Sequence, residues 1–295
     1  MAAEPDPSLA ARTVTLTPSP AQCSQIVDRL ARLECSKTLR VGVRSNYPPY
    51  AYQEGEQRKG FEIDLARQLA GELGANVSFE TVTPANRLAL LGEGRIDMVL
   101  ATMGHTLQRD REARFIRPHY FRSETIVVGR KEFMLKDLAN LRGNTICVTV
   151  GNSTNAELSA SGARLMLFDS APRLIDELRL GGCSLVAQDD SFFAPHFKRA
   201  EFASRYDLKF GFARLPWGAA VAKESGDNLA LALSSAMKKL HANGYLEQLA
   251  RKHAVDTAFL EEQRKQWTSE ACAEDRKSTR LNSSHSTLSR MPSSA

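Results

Sequence analysis

The sequence predicts an α/β protein of two lobes joined by two extended crossings, with a ligand cleft between them. Three observations carry this expectation. Apolar strand-like runs alternate with helical spacing from Leu39 to Ala101. The alternation then restarts at Thr145 and runs to Ala187. Two short apolar segments, Thr125–Val128 and Gly218–Ala222, stand where the chain would leave the first unit and return to it.

The elements follow in order. Residues 1–20 are rich in Pro, Ala, Ser and Thr and read as a disordered lead. Residues 21–36 have the spacing of one short helix, with Ile26, Leu30 and Leu33 on a common face. Leu39–Val43 is a buried strand, followed by the loop Ser45–Tyr50. From Gly60 to Leu73 the apolar positions Phe61, Ile63, Leu65, Leu69, Ala70 and Leu73 pass from alternation to helical spacing. Glu62 and Asp64 fall in the first helical turn, where the helix dipole favours negative charge. Val77–Val82 alternates as a strand, Arg87–Leu91 is helical, and Ile96–Ala101 is a near-continuous apolar strand. Strands alternating with helices predict a mostly parallel sheet covered on both faces. In the second unit, Thr145–Val150 and Ser184–Ala187 read as strands around a helix at Pro172–Leu180. The helices between Asn228 and Ala254 are expected to pack back on the first lobe.

Composition excludes several classes. The chain has 295 residues, 42% hydrophobic and 25% charged, which suits a globular protein with full cores. Its net charge of +5 is concentrated at the end: Arg276, Lys277, Arg280 and Arg290 fall in a serine-rich tail without an acid. Without these four, 35 basic residues face 34 acidic ones. No basic footprint for nucleic acid remains. The tail at 276–295 resembles translated sequencing-adapter read-through and is left out of the fold. No apolar run reaches transmembrane length. The first twelve residues lack the basic start and apolar core of a secretory signal. The five cysteines, Cys23, Cys35, Cys147, Cys183 and Cys272, include no CxxC pair. Cys23 and Cys35 would lie roughly 18 Å apart on one straight helix, so they pair only if that helix breaks.

Catalytic motifs are missing. There is no P-loop, GxGxxG, HExxH or GxSxG, and the six histidines form no metal-ligating spacing. Ser235–Lys238 satisfies SxxK but lies mid-helix without partner motifs, and His105 reads as a loop histidine. Neither cofactor nor metal is expected. Binding chemistry is better represented. Thr102–Arg109 follows the end of a buried strand, the place where open α/β sheets bind ligands. Thr106 is a plausible N-cap for a following helix, and Arg109 can fork onto a carboxylate. An ordinary capped helix with an exposed arginine is the alternative.

The Gly60–Leu73 run, G-F-E-I-D-L-A-R-Q-L-A-G-E-L, resembles the signature of the family 3 extracellular solute-binding proteins, which capture polar amino acids for ABC importers. The resemblance covers roughly residues 37–255. It implies a periplasmic-binding-protein-like fold, with lobe 1 formed by residues 37–125 plus 221–260 and lobe 2 by 126–220, behind an N-terminal segment at 1–36. It further implies a monomer that works outside the cytoplasm, closes on an amino acid and presents itself to a membrane permease. The absence of a visible signal then means either that the reading frame lost its true start or that export uses another signal.

Site residues are carried over position by position. Arg109 aligns with the family arginine that grips the ligand α-carboxylate. Thr102 and Gly104 match two further contact positions, the second usually a hydroxyl residue. Gly151–Thr154 aligns with a Gly-Thr-Thr turn, which makes Ser153 and Thr154 a second carboxylate anchor, or simply an N-cap turn. Asp189 aligns with the acid that meets the ligand ammonium, and the adjacent Asp190 either replaces it or caps the next helix. Tyr47 aligns with an aromatic that covers the ligand, or is a structural tyrosine packed by Pro48 and Pro49. Arg44 and Arg87 resemble the arginines of the glutamate/aspartate-binding branch, and Ser170 stands where that branch often has a ligand-contacting histidine. An acidic amino acid is therefore the expected ligand, followed by another small dicarboxylate or a neutral amide. The alternative is an enzyme like the cyclohexadienyl dehydratases of the same fold. Those place a Glu just after the lobe-2 aspartate, where this chain has Phe192 and Phe193, so a non-enzyme is expected.

Overall fold

The computed structural model describes residues 19–268. The lead up to residue 18, the tail at 276–295 and Cys272 lie outside the described residues. The helix expected over 21–36 is two helices, α1 (Pro20–Ser24) and α2 (Arg29–Ser36). The sequence holds two start signals within nine residues: Ser19 forms a capping box with Gln22, and the Asp28 side chain accepts from Ala31 N. The break brings Cys23 and Cys35 to a Cα separation of 5.5 Å, and they form a disulfide. Arg32 and Arg40 bond the buried Asp97 at 2.5 and 2.7 Å, and Arg29 stands 3.7 Å from it. Burial alone would raise the Asp97 carboxyl, but the bonds from Arg40 and the charge of Arg32 hold it below its ordinary range. The α1–α2 hairpin is thereby fixed to the first lobe.

Strand β1 (Thr38–Val43) leads into a small antiparallel sheet of β2 (Asn46–Tyr47), β3 (Ala51–Glu54) and β4 (Gln57–Lys59). Helix α3 (Phe61–Glu72) follows. Its N-cap Gly60 has φ +123°, and a Cβ there would stand 2.3 Å from the Tyr50 carbonyl oxygen, so glycine alone fits this entry. Phe61, Ile63, Leu65, Leu69 and Ala70 are buried on the face against the sheet. Each of the larger ones contributes about 1.5–3 kcal/mol by leaving water. After β5 (Asn76–Thr81) come α4 (Arg87–Gly92), β6 (Met98–Val99) and β7 (Ala113–Phe115).

The chain then passes into β8 (Phe121–Arg130), which belongs wholly to the second sheet. Thr125–Val128 is thus a central strand of lobe 2, and the first crossing lies earlier, at Ile116–Tyr120. Lobe 2 continues with β9 (Thr145–Thr149), α5 (Asn155–Ala160), β10 (Arg164–Phe168), α6 (Ala171–Leu180), β11 (Leu185–Asp189), α7 (Asp190–Phe197), α8 (Ala200–Arg205) and β12 (Tyr206–Trp217). Strand β13 (Ala220–Ala222) returns to the first sheet. Helices α9 (Asp227–Ala242), α10 (Tyr245–Lys252) and α11 (Ala258–Thr268) close the described chain.

The sheet orders are β5-β1-β6-β13-β7 and β10-β9-β11-β8-β12. Each sheet has a parallel core: β1 with β5 and β6 in one, and β9 with β10 and β11 in the other. Antiparallel strands complete both, β13 with β6 and β7 in the first and β8 with β11 and β12 in the second, and these are the strands that adjoin the crossings. A second disulfide, Cys147–Cys183, ties β9 to the turn before β11 at a Cα distance of 6.1 Å. No helix among the described residues is long and apolar enough to cross a membrane.

Candidate functional site

A narrow cleft with about 30 Å³ of free volume lies between the lobes at the carboxyl ends of the parallel strands. From lobe 1 it is lined by Arg44 just after β1, Arg87 at the start of α4, and Thr102, Gly104 and Arg109 beyond β6. From lobe 2 it receives Ser153 and Asp189. Seven of the residues read from the sequence thus share one cavity. Three do not line it. Tyr47 is fully buried beside it and donates its hydroxyl to Asp189 Oδ2 at 2.8 Å. The Arg44 guanidinium lies 4.8 Å from the Tyr47 ring centroid, so an arginine of the chain takes the ring face expected to meet the ligand cation. Thr154 is buried beneath the turn and bonds Asn152 Oδ1 at 3.2 Å. Ser170 sits at the N-cap of α6, outside the lining.

The expected helix after Thr106 is a single 3₁₀ turn, Arg109–Arg111. Its N-cap is Gln108 rather than the expected Thr106, whose Oγ1 nonetheless accepts from Arg109 N at 3.3 Å. The turn cannot extend because the chain must enter β7 two residues later. Its guanidinium is buried and donates to Gly104 O at 2.7 Å and, across the cleft, to Gly151 O at 3.0 Å. Arg87 donates to Ala101 O at 2.6 Å, and Arg44 to Thr102 Oγ1 at 3.3 Å. Among the described residues none of the three arginines forms an ion pair, and the buried Arg87 Nε has no hydrogen-bond partner. Burial lowers all three guanidinium pKa values, that of Arg87 furthest, with the charges of Arg109 and Arg44 adding to the effect.

Two carboxylates answer this cluster. Burial pushes Asp189 up to about 6, with Asp190 adding to the rise while the Tyr47 hydroxyl, Arg44 and Arg87 oppose it. Asp190 points elsewhere: its Oδ1 accepts from Ser123 Oγ and from Ser191 N, which fixes the start of α7. Glu62 is fully buried under the cleft floor, and burial pushes it up to about 7.

Sequence reading missed much of the lobe-2 wall, which includes Ser123, Thr125, Thr149 and Gln188. Gln188 donates to Thr149 Oγ1 at 3.2 Å and accepts from Asn152 Nδ2 at 3.2 Å, a buried amide network behind Asp189. Trp217 at the end of β12 closes the cleft near the second crossing. His105, near the same crossing, stacks on Phe115 at 4.0 Å, and its Nδ1 lies 2.7 Å from His119 Nε2. No group of three or more metal-ligating side chains occurs among the described residues.

Residues 39–256 match the bacterial extracellular solute-binding proteins, family 3. The chain belongs to that family. Among the curated relatives of this solute-binding protein is the arginine-binding extracellular protein ArtP of Bacillus subtilis, 24% identical over 73% of this chain and 86% of its own. Another is the L-cystine-binding protein TcyJ of Escherichia coli, 27% identical over 73% and 82%. In fold it resembles the crystal structure of an ancestral amino acid-binding protein described as a precursor of cyclohexadienyl dehydratase. That likeness has a TM-score of 0.67 and 24% identity, covering 76% of this chain and 98% of the other.

Proposed function

We propose that this solute-binding protein captures an acidic amino acid, glutamate or aspartate in kind, for an ABC importer working outside the cytoplasm. The carrying observation is the set of three buried arginines without a carboxylate partner, one of them with an unmatched Nε. Burying an uncompensated charge is costly, so the cleft favours ligands that supply counter-charge. Three guanidinium charges stand against the Asp189 carboxylate and a Glu62 carboxyl that burial pushes up to about 7, so positive charge is in excess. A ligand with two carboxylates and one ammonium reduces that excess, whereas a basic amino acid would add to it. Arg109 and the 151–154 turn would take the α-carboxylate, Asp189 the ammonium, and Arg44 with Arg87 the side-chain carboxylate. We place the hinge in the two crossings, Ile116–Tyr120 and Trp217–Ala219, and take the closed monomer as the form a permease meets. Two disulfides support an oxidising compartment.

Calorimetric titration with L-glutamate, L-aspartate, L-glutamine, L-arginine and L-cystine tests this. Micromolar or tighter binding is expected for an acidic amino acid, with a loss of at least about 30-fold in Arg87→Ala, the scale of removing one partner of a buried charge pair. Tight binding of arginine or cystine alone would refute the acidic assignment. The three arginines would equally hold a dicarboxylate, so prephenate belongs in the same series. Its conversion to phenylpyruvate would refute the binding reading.

A further inference from the structure

The three cleft arginines come from separate places in the chain, yet all rest on one tetrapeptide. Arg87 donates to Ala101 O, Arg44 to Thr102 Oγ1 and Arg109 to Gly104 O. The Ala101–Gly104 turn is therefore the platform for the cationic wall. Its conformation is not self-supporting, because Thr102 has φ +46°, a left-handed geometry that a β-branched residue adopts only under constraint.

The constraint comes from Glu62, forty residues earlier. Its Oε1 accepts from Thr102 N at 2.7 Å and from Tyr120 OH at 2.5 Å. The side chain is fully buried, and Oε2 has no hydrogen-bond partner. Glu62 is itself fixed by backbone bonds at the start of α3, where Phe61 N donates to Pro49 O and Glu62 N to Tyr50 O. Tyr120 lies in the first crossing, and its N donates to Trp217 O in the second. One carboxylate oxygen thus connects the arginine platform to both crossings.

We infer that Glu62 is the positioning residue of the site: its Oε1, acting as a double acceptor, holds Thr102 left-handed and so places Arg44, Arg87 and Arg109 as one anion-binding wall. The inference draws on the proposed amino acid site only for its affinity probe. Two substitutions separate position from charge. Glu62→Gln keeps an acceptor at Oε1 and puts its amide where Oε2 has no partner, while losing the charge. Glu62→Asp keeps the charge and withdraws the acceptor by one methylene.

The first readout needs no ligand: ¹⁵N spectra of the arginine side chains, in which held guanidinium groups give resolved, slowly exchanging signals. The wild type and E62Q are expected to share those signals, and E62D to lose them. The second readout is affinity for whichever amino acid of the panel titrates the wild type. E62Q should stay within about threefold, and E62D should weaken roughly tenfold or more, the effect of one buried hydrogen bond left unmade. The reverse pattern, with E62D retained and E62Q lost, would overturn the inference by assigning the role to charge. Unfolding midpoints that fall while signals and affinity stay intact in both variants would overturn it by assigning a purely structural role. If no amino acid binds the wild type, the proposed function fails, and the arginine spectra still decide the role of Glu62.

Discussion

Asp189 is held between two environments. Among the described residues its carboxylate accepts from one side chain, the Tyr47 hydroxyl, and burial pushes it up to about 6. At the proposed ammonium site an arriving ammonium would favour the charged form, so binding would lower the pKa and release a proton near that pH. Affinity is therefore expected to be flat above about pH 7 and to fall below 6 by roughly tenfold per pH unit, the limit for one linked proton. Titrations between pH 5 and 8 check this, and an unchanged affinity across that range would remove Asp189 from the ammonium site. The residues that share the cleft and were readable in the sequence are those just past strand ends or at helix starts, where position alone dictates direction: Arg44, Arg87, Arg109 and Asp189. Gln188 and Thr149 lie within strands and looked like interior positions, and Thr125 looked like part of a crossing. Glu62 was read as a first-turn acid, because helix spacing carries no information on a contact forty residues away.

At the scale of elements, one disulfide marks the correction of a local expectation and the other joins two thiols whose pairing the sequence left open. Cys23–Cys35 exists because the run over 21–36 bends, and the bend is written in two capping residues, Ser19 and Asp28, rather than in the apolar spacing. Cys147–Cys183 closes a loop with a sequence separation of 36 within lobe 2. Replacing both with alanine is expected to destabilise by about 3–4 kcal/mol, following the loop-closure relation. Hydrogen exchange should then show the loss in β9 and β11 rather than in α3. Denaturant unfolding of the double variant measures the total, and a change below 1 kcal/mol would mean the bridge adds little to the packing around it. Other elements were hidden for physical reasons. The hairpin β3–β4 is made mostly of polar residues, exposed or half-buried apart from Ala51, and β12 loses its alternation at two register shifts, one at Lys209 and one at Ala213, which has φ +51°.

The whole molecule is seen with its lobes touching. Tyr47 meets Asp189, Arg109 meets Gly151 O, and a Cβ on Gly151 would stand 2.5 Å from Pro84 O. Gly151 has φ +77° and presses directly on the opposite lobe. Gly151→Ala is accordingly expected to hold the cleft open, weakening ligand binding roughly tenfold or more and enlarging the radius of gyration measured by X-ray scattering. Unaltered affinity and scattering would show that this contact is not made in solution. The two-lobed plan was legible because each lobe repeats the strand–helix alternation around its own sheet. The point of crossing was not, because Thr125–Val128 is as apolar as a linker strand would be and is instead paired on both sides.

Both ends of the described chain lie on the same lobe. The α1–α2 hairpin is anchored through Asp97, and α11 packs on α9. Residues 121–217 leave from and return to that lobe like an insertion. A mechanical load applied through the α1–α2 hairpin therefore enters the terminal lobe at Asp97, whereas a load through α11 also reaches the inserted lobe, where Arg122 of β8 pairs with Glu262 and lies over the Phe259 ring. Tethered to a surface through its amino-terminal hairpin, such a molecule keeps its opening and closing free of the pull on its anchor.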